Sequence, residues 1–147
     1  NPVNIECNVL YKYIIRSLLD NTFDKQQLRE MATIDVVKTA IDDALDHRQR
    51  EFLPKQNGWV VHGLYFAVFA AISEMSILDV YDHIIKCLVD PDTTSAIAGA
   101  VLGAKHHNDF LQNEEIRELL QIMLDADPSQ GSVDRPLLYH PKTYYHI

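Results

Sequence analysis

The sequence predicts an all-α protein, a compact multi-helix bundle. Apolar residues recur at three- and four-residue spacing along most of the chain, and no convincing run of alternating strand-type residues interrupts them. With 147 residues, 47% of them apolar, the chain is long enough to bury about two thirds of its unfolded surface in one core without disulfide staples.

The first helix is expected over roughly Ile5 to Leu19, with Val9, Tyr13 or Ile14, and Leu18 on one side and Asp20-Asn21-Thr22 ending it. A second helical stretch from about Asp24 to Arg50 places Ile34, Val37, Ala40, Ile41, Ala44 and Leu45 on an amphipathic face, with Asp42, Asp43, Asp46, His47 and Arg48 on its wet side. Phe52-Leu53-Pro54-Lys55-Gln56-Asn57-Gly58 holds turn-forming residues, so a loop leads into a buried helix from Trp59 to Ile72. Ser76 and Asp79 form a capping-box-like start for a helix to about Leu88, with Ile77, Val80, Ile84 and Ile85 inward. After Val89-Asp90-Pro91-Asp92-Thr93-Thr94 comes a small-residue helix, Ser95 to Ala104, in which Gly99 and Gly103 share one face and admit a close neighbour. The last helix is expected from Asn113, using Ile116, Leu119, Leu120, Met123 and Leu124. Residues 128–147 read as an extended tail after a helical region of residues 1–127.

Charge and composition exclude several functions. Thirteen Lys and Arg against 21 Asp and Glu give a net charge of −8 and no basic stripe, so duplex nucleic acid is not an expected partner. The longest apolar run, Gly58 to Ile72, is interrupted by His62 and falls short of the roughly 18 to 20 residues of a membrane span. No membrane partner is expected. Cys7 and Cys87 lie in apolar surroundings without CxxC spacing, which points to buried packing thiols and a reducing, cytoplasmic compartment.

One segment departs from what packing requires. Asp90-Pro91-Asp92-Thr93-Thr94 clusters carboxylate and hydroxyl oxygens, the donors that a hard cation prefers. The same residues also suit a helix N-cap, since carboxylates and hydroxyls satisfy free N–H groups there and oppose the dipole. Spacing alone leaves both readings open.

The flanking residues add to this. Asp90-Pro91-Asp92-Thr93-Thr94-Ser95-Ala96-Ile97-Ala98-Gly99-Ala100, continued by Leu102-Gly103-Ala104, resembles the C-terminal signature of the ADP-ribosylglycohydrolase family. That family includes the enzymes that remove ADP-ribose from dinitrogenase reductase and from arginine or serine side chains. Asn57-Gly58-Trp59-Val60-Val61 before an apolar helix is similar to the family's Gly-Gly-Trp-Val-Val segment, and Arg135-Pro136 with Tyr139-His140-Pro141 resembles a tail seen in some members.

The resemblance implies an all-α fold with two Mg²⁺ ions in a cleft between helices, Asp90, Asp92 and Thr93 matching the C-terminal metal ligands. It also implies ADP-ribose or an ADP-ribosylated protein as partner, with Gly58 and Trp59 near the substrate, and hydrolysis of the bond to the modified side chain. Trp59 serves equally well as a core anchor. Oxygen donors do not separate Mg²⁺ from Mn²⁺.

Pro91 replaces a Thr of the family pattern and Val89 stands where a Gly is common, but neither change removes a ligand. The N-terminal Gly-Asp-Ala/Ser and Thr-Asp-Asp segments of the family do not occur, and Asp42-Asp43 follows Ile41 on a helix face and is not assigned as a ligand. Two carboxylates against four positive charges are half a cage, so the expectation is the C-terminal part of the fold, completed by a missing N-terminal half or a second chain. Asn1 in place of Met agrees with a piece of something larger. No residue is assigned as the catalyst: Glu74 ends the apolar helix, His62 reads as a hydrogen-bonded core histidine, and His106-His107 read as a polar helix end, not a zinc site. The alternatives are a non-catalytic remnant or helical interaction module of the same fold, and a plain helical domain whose acidic motif is only a cap.

Overall fold

The computed structural model describes residues 1–48, 50, 52, 58–87, 90–110, 112 and 114–125. Among them there are seven helices and no strand: α1 (Pro2–Leu19), α2 (Lys25–Met31), α3 (Asp35–Leu45), α4 (Val60–Ile72), α5 (Ile77–Lys86), α6 (Pro91–Phe110) and α7 (Glu114–Asp125). The chain divides into two units, Asn1–His107 and Asn108–Ile147. In the second unit, α7 carries a local hydrogen bond from Gln121 to Asp125 of 2.7 Å, and Ile116 is buried. Expectations for Leu53 to Asn57, Leu88, Val89, Asn113 and the tail, including Arg135, Pro136, Tyr139, His140 and Pro141, lie outside the described residues, as do the side chains of Leu119, Leu120, Met123 and Leu124.

The first unit is built around α4. Every residue from Val61 to Ile72 is buried, which agrees with a helix apolar on all sides. α1 and α3 pack on it. Phe69 stacks on His83 of α5 with ring centroids 4.7 Å apart, and Gly63 lies against Ile97 of α6. At the other end of α4 the Ser73 carbonyl accepts a hydrogen bond from Lys105 Nζ of α6. Gly63 with Ile97 and Ser73 with Lys105 make α4 and α6 parallel, so their N-terminal ends lie together.

Helix starts follow local chemistry. Asn1 accepts from the Val3 amide at 3.0 Å, Asp24 from the amides of Gln26 and Gln27 at 2.7 and 3.0 Å, and Ser76 from that of Asp79 at 3.1 Å. Ser76 also donates to the Asp79 carboxylate at 2.6 Å, so the acid is held by the cap hydroxyl, where the Glu or Gln of a capping box accepts from the cap amide. Asn21, at φ 54°, closes α1 in the left-handed conformation that Asn tolerates.

The stretch expected as one helix from Asp24 to Arg50 is two, separated at Ala32-Thr33-Ile34. The break is fixed from outside. Glu6 of α1 accepts from the amides of Thr33 and Ile34 at 2.9 and 3.0 Å and from the Thr33 hydroxyl, supplying the cap that Ile34 lacks. Desolvation raises the Glu6 pKa, but the Thr33 hydroxyl, the amides of Ile34 and Thr33, and the charge of Lys38 outweigh it and hold the carboxyl below its ordinary value. Its stabilisation is therefore complete above about pH 4.5, the unfolded value, and is lost as pH falls through the lower folded value. Glu6→Gln should cost about 1 kcal/mol at pH 7 and show a smaller difference from the wild type near pH 3. Urea unfolding at the two pH values measures both.

The inward faces differ from the expected ones at a few positions. α1 buries Cys7, Leu10, Ile14 and Ser17, leaving Val9 52% exposed, because the stripe at spacing 3, 4 and 3 faces α4. In α5, Ile77, Val80 and Ile84 are inward and Ile85 is 56% exposed. The expected face of α3 holds from Val37 to Leu45. The small-residue helix extends from Pro91 to Phe110, so His106 and His107 lie within it and do not end it. A Cβ at Gly99 would lie 2.6 Å from the Tyr81 hydroxyl, the close approach expected there, whereas one at Gly103 would meet nothing within 4 Å. No described helix is long and apolar enough to cross a membrane.

Candidate functional site

The acidic motif is the first turn of α6. Pro91 occupies the first helical position, where its fixed φ suits the helix and its missing N–H is not required. The Asp90 carbonyl accepts from the Thr94 amide at 3.0 Å, and Asp92 Oδ1 accepts from the Thr93 amide at 2.9 Å. Asp92 and Thr93 are exposed, Asp90 is half-buried and Thr94 is buried.

The Asp92 carboxyl is held below the usual carboxylate range, first by a hydrogen bond with the Asp90 side chain and then by the amides of Thr93 and Asp92 itself. The two acid groups thus meet. Neighbouring carboxylates repel unless a proton or a cation stands between them. Their hard oxygens, with the hydroxyl-bearing Thr93 next in sequence, fit a divalent ion in type. In number they are short, since among the described residues no three His, Cys, Asp or Glu side chains are grouped to hold a metal.

The other acidic pair is engaged elsewhere. Asp42 accepts from Arg29 at 2.8 Å and Asp43 from Arg50 at 3.1 Å, while Asp46 takes Arg29 at 2.6 Å and Arg48 at 2.7 Å. Asp42 and Asp43 are half-buried in these pairs, not simply wet. Glu74 follows α4 at its far end, roughly 20 Å along the axis from Trp59 at 1.5 Å per residue. It does not sit with the acidic motif.

Trp59 precedes α4, and its carbonyl accepts from the His62 amide at 2.9 Å. Since α4 and α6 are parallel, Gly58 and Trp59 lie at the same end of the unit as Asp90, Asp92 and Thr93. A Cβ on Gly58 would meet nothing within 4 Å. The Trp59 ring stands perpendicular to His62, with centroids 5.3 Å apart, and Phe52 meets the same imidazole at 5.0 Å and 79°.

His62 is 2% exposed, as a core histidine should be, yet among the described residues neither ring nitrogen has a hydrogen-bond partner. The expected satisfied imidazole is an apolar-packed one. Burial pushes its pKa below the ordinary value, and the Arg50 charge acts in the same direction. Cys7 is buried with its thiol pushed up to about 11 by desolvation and then by Glu6, and the half-buried Cys87 is also raised by burial. Both thiols are free and unreactive in character.

Sequence reasoning passed over Gly63, Arg50 and Phe52. The only signal for Gly63 was a glycine inside an apolar helix, where its propensity is poor and close packing is the usual reason. Arg50 and Phe52 carried none, because their partners Asp43, His62 and Phe66 are set by tertiary contact.

The described helices, with paired aspartates opening a small-residue helix, define an all-α protein. The family model for ADP-ribosylglycohydrolase matches residues 1–133, and the chain belongs to that family. No curated protein and no solved structure gives a significant match.

Proposed function

We propose that this chain supplies one carboxylate half of the divalent-cation site of an ADP-ribosylglycohydrolase, with Asp90, Asp92 and Thr93 as ligands of Mg²⁺ or Mn²⁺. The observation that supports it most is the meeting of the Asp90 and Asp92 carboxyls at the start of α6. The remaining ligands of a two-ion site would come from an N-terminal half or a second chain. The reaction is hydrolysis of the N- or O-glycosidic bond between ADP-ribose and a modified side chain, in the cytoplasm.

Divalent ions at such a site supply positive charge that orients sugar oxygens and acidifies a water. The chain's own part is positioning. Asp90 and Asp92 bind by charge and Thr93 by a neutral oxygen, while Pro91 between the acids fixes the turn that brings them together. Gly58 leaves room and Trp59 offers a flat apolar wall for ADP-ribose at the same end.

Mg²⁺ with ADP-ribose should raise the melting temperature of the protein, since a ligand of the folded state stabilises it by mass action. Asp92→Ala should abolish the rise; because the fold favours an ionised Asp92 in the first turn of α6, the ligand-free melting temperature should fall slightly, and the ligand-induced shift is read against the variant's own baseline. An undiminished ligand response in the variant would overturn the assignment. The second reading, a non-catalytic helical module, is favoured by the presence of only two carboxylates in the described motif; it requires that no ADP-ribose be released from a modified peptide when Mg²⁺ is present.

A further inference from the structure

The buried imidazole of His62 lies in the core of α4, and two aromatic rings that cover it, Phe52 and Trp59, come from the segment leading into that helix. Phe52 and Trp59 meet it at 79° and 87°, the perpendicular arrangement in which the edge of one ring meets the face of another. Neither ring offers a hydrogen-bond acceptor to an imidazole N–H. A protonated one would carry two N–H donors with no acceptor and a charge with no water, which is among the most expensive things to leave in a protein interior.

We propose that His62 is an acid-sensitive positioning residue: neutral, it holds the Trp59 indole and the Phe52 ring against α4; protonated, it releases them. The surrounding groups reinforce this. From the preceding segment, the Arg50 guanidinium opposes a second positive charge, and Asp43 of α3 is already paired with Arg50. From α1, the Tyr11 hydroxyl is committed to the Ile97 carbonyl of α6 at 3.1 Å. From α5, His83 stacks on Phe69, two turns along α4 from His62. On α4 itself, Tyr65 donates to the Arg48 carbonyl at 3.2 Å. At the start of α6, the Asp90 carbonyl accepts from the Thr94 amide and Asp92 Oδ1 from the Thr93 amide, and among the described residues no carboxylate is paired with the His62 ring. Acid therefore has one low-cost outcome, which is to let the imidazole reach water by moving the rings that cover it. That the movement also reshapes a substrate wall rests on the function proposed above; the release of Trp59 does not.

Trp59 is the only tryptophan of the chain, so its emission reports the event without label, metal or nucleotide. Titrating the full chain from pH 8 to 5 should give a red shift and stronger acrylamide quenching with a midpoint below about 6.5, the ordinary histidine value, while helical circular dichroism is unchanged. His62→Phe, which keeps a buried ring, should remove the transition. A flat wild-type profile, a transition retained in His62→Phe, or one that coincides with loss of helix would each overturn the proposal. If His62→Phe does not fold, His62→Leu takes its place, and wild-type quenching against pH decides alone. A positive fluorescence result with no Mg²⁺ and ADP-ribose response would leave this device standing and remove the function.

Discussion

Phe66→Ala should destabilise the protein by about 3–5 kcal/mol, the range for emptying a buried aromatic site. Phe66 has no exposed surface and its ring joins three parts of the unit: it stacks on Phe52 at 5.2 Å, meets Tyr65 of its own helix at 5.0 Å and meets His83 of α5 at 6.3 Å. Truncation removes the apolar area and leaves a cavity that rigid rings on three sides cannot fill. For a domain of this size the loss corresponds to a fall in Tm of roughly 10 °C or more, against a total stability of about 5–15 kcal/mol. Phe66→Leu, which keeps most of the volume, should cost about 1.5 kcal/mol or less. Urea unfolding measures both; a loss below 1 kcal/mol for the alanine variant would show that the cluster is not the core.

Gly63→Leu should cost about 3 kcal/mol, near the upper end for overpacking. Even a Cβ at this position would lie 2.9 Å from Ile97 Cδ1. Alanine is the easier case, since the methyl end of Ile97 can turn aside and the helix gains about 1 kcal/mol of propensity over glycine. A full leucine side chain cannot be accommodated that way and must drive α6 away from α4. Ile97→Ala in the same protein should return a substantial part of the loss, because the two residues contest one space and their effects are then non-additive. Strict additivity in the double-mutant cycle would exclude Gly63 and Ile97 as the contact between these helices.

What was legible in the sequence was local. The α4 boundaries, the Ser76 cap, the Asp24 start and the inward face of α3 depend on residues within one turn of one another, and periodicity and capping chemistry read such spacings directly. The acidic motif was legible for the same reason, with Pro91 between two acids at a helix start. The division between α2 and α3 was not, because the groups that end one helix and open the next bond to Glu6, 27 and 28 residues away. Gly99 and Gly103 look alike in sequence, yet only Gly99 faces a neighbour, Tyr81, since the neighbour's position is a tertiary fact. His62 was read as buried from its apolar context, but whether a buried imidazole finds an acceptor depends on which rings close over it, and Phe52 and Trp59 offer none.

The hydrogen bond from the Tyr11 hydroxyl to the Ile97 carbonyl joins helices 86 residues apart. Closing a loop of that length from a flexible chain costs roughly 4 kcal/mol in chain entropy. One hydrogen bond returns about 1 kcal/mol, so the contact forms only with the burial of α4 between α1 and α6. The order of assembly follows. α1, α2 and α3 are close in sequence and can meet early, while the α1–α6 closure belongs late on the folding path. The helix that carries the paired aspartates is therefore expected among the last to be seated, its acidic turn taking its final place after α1, α2 and α3 have met.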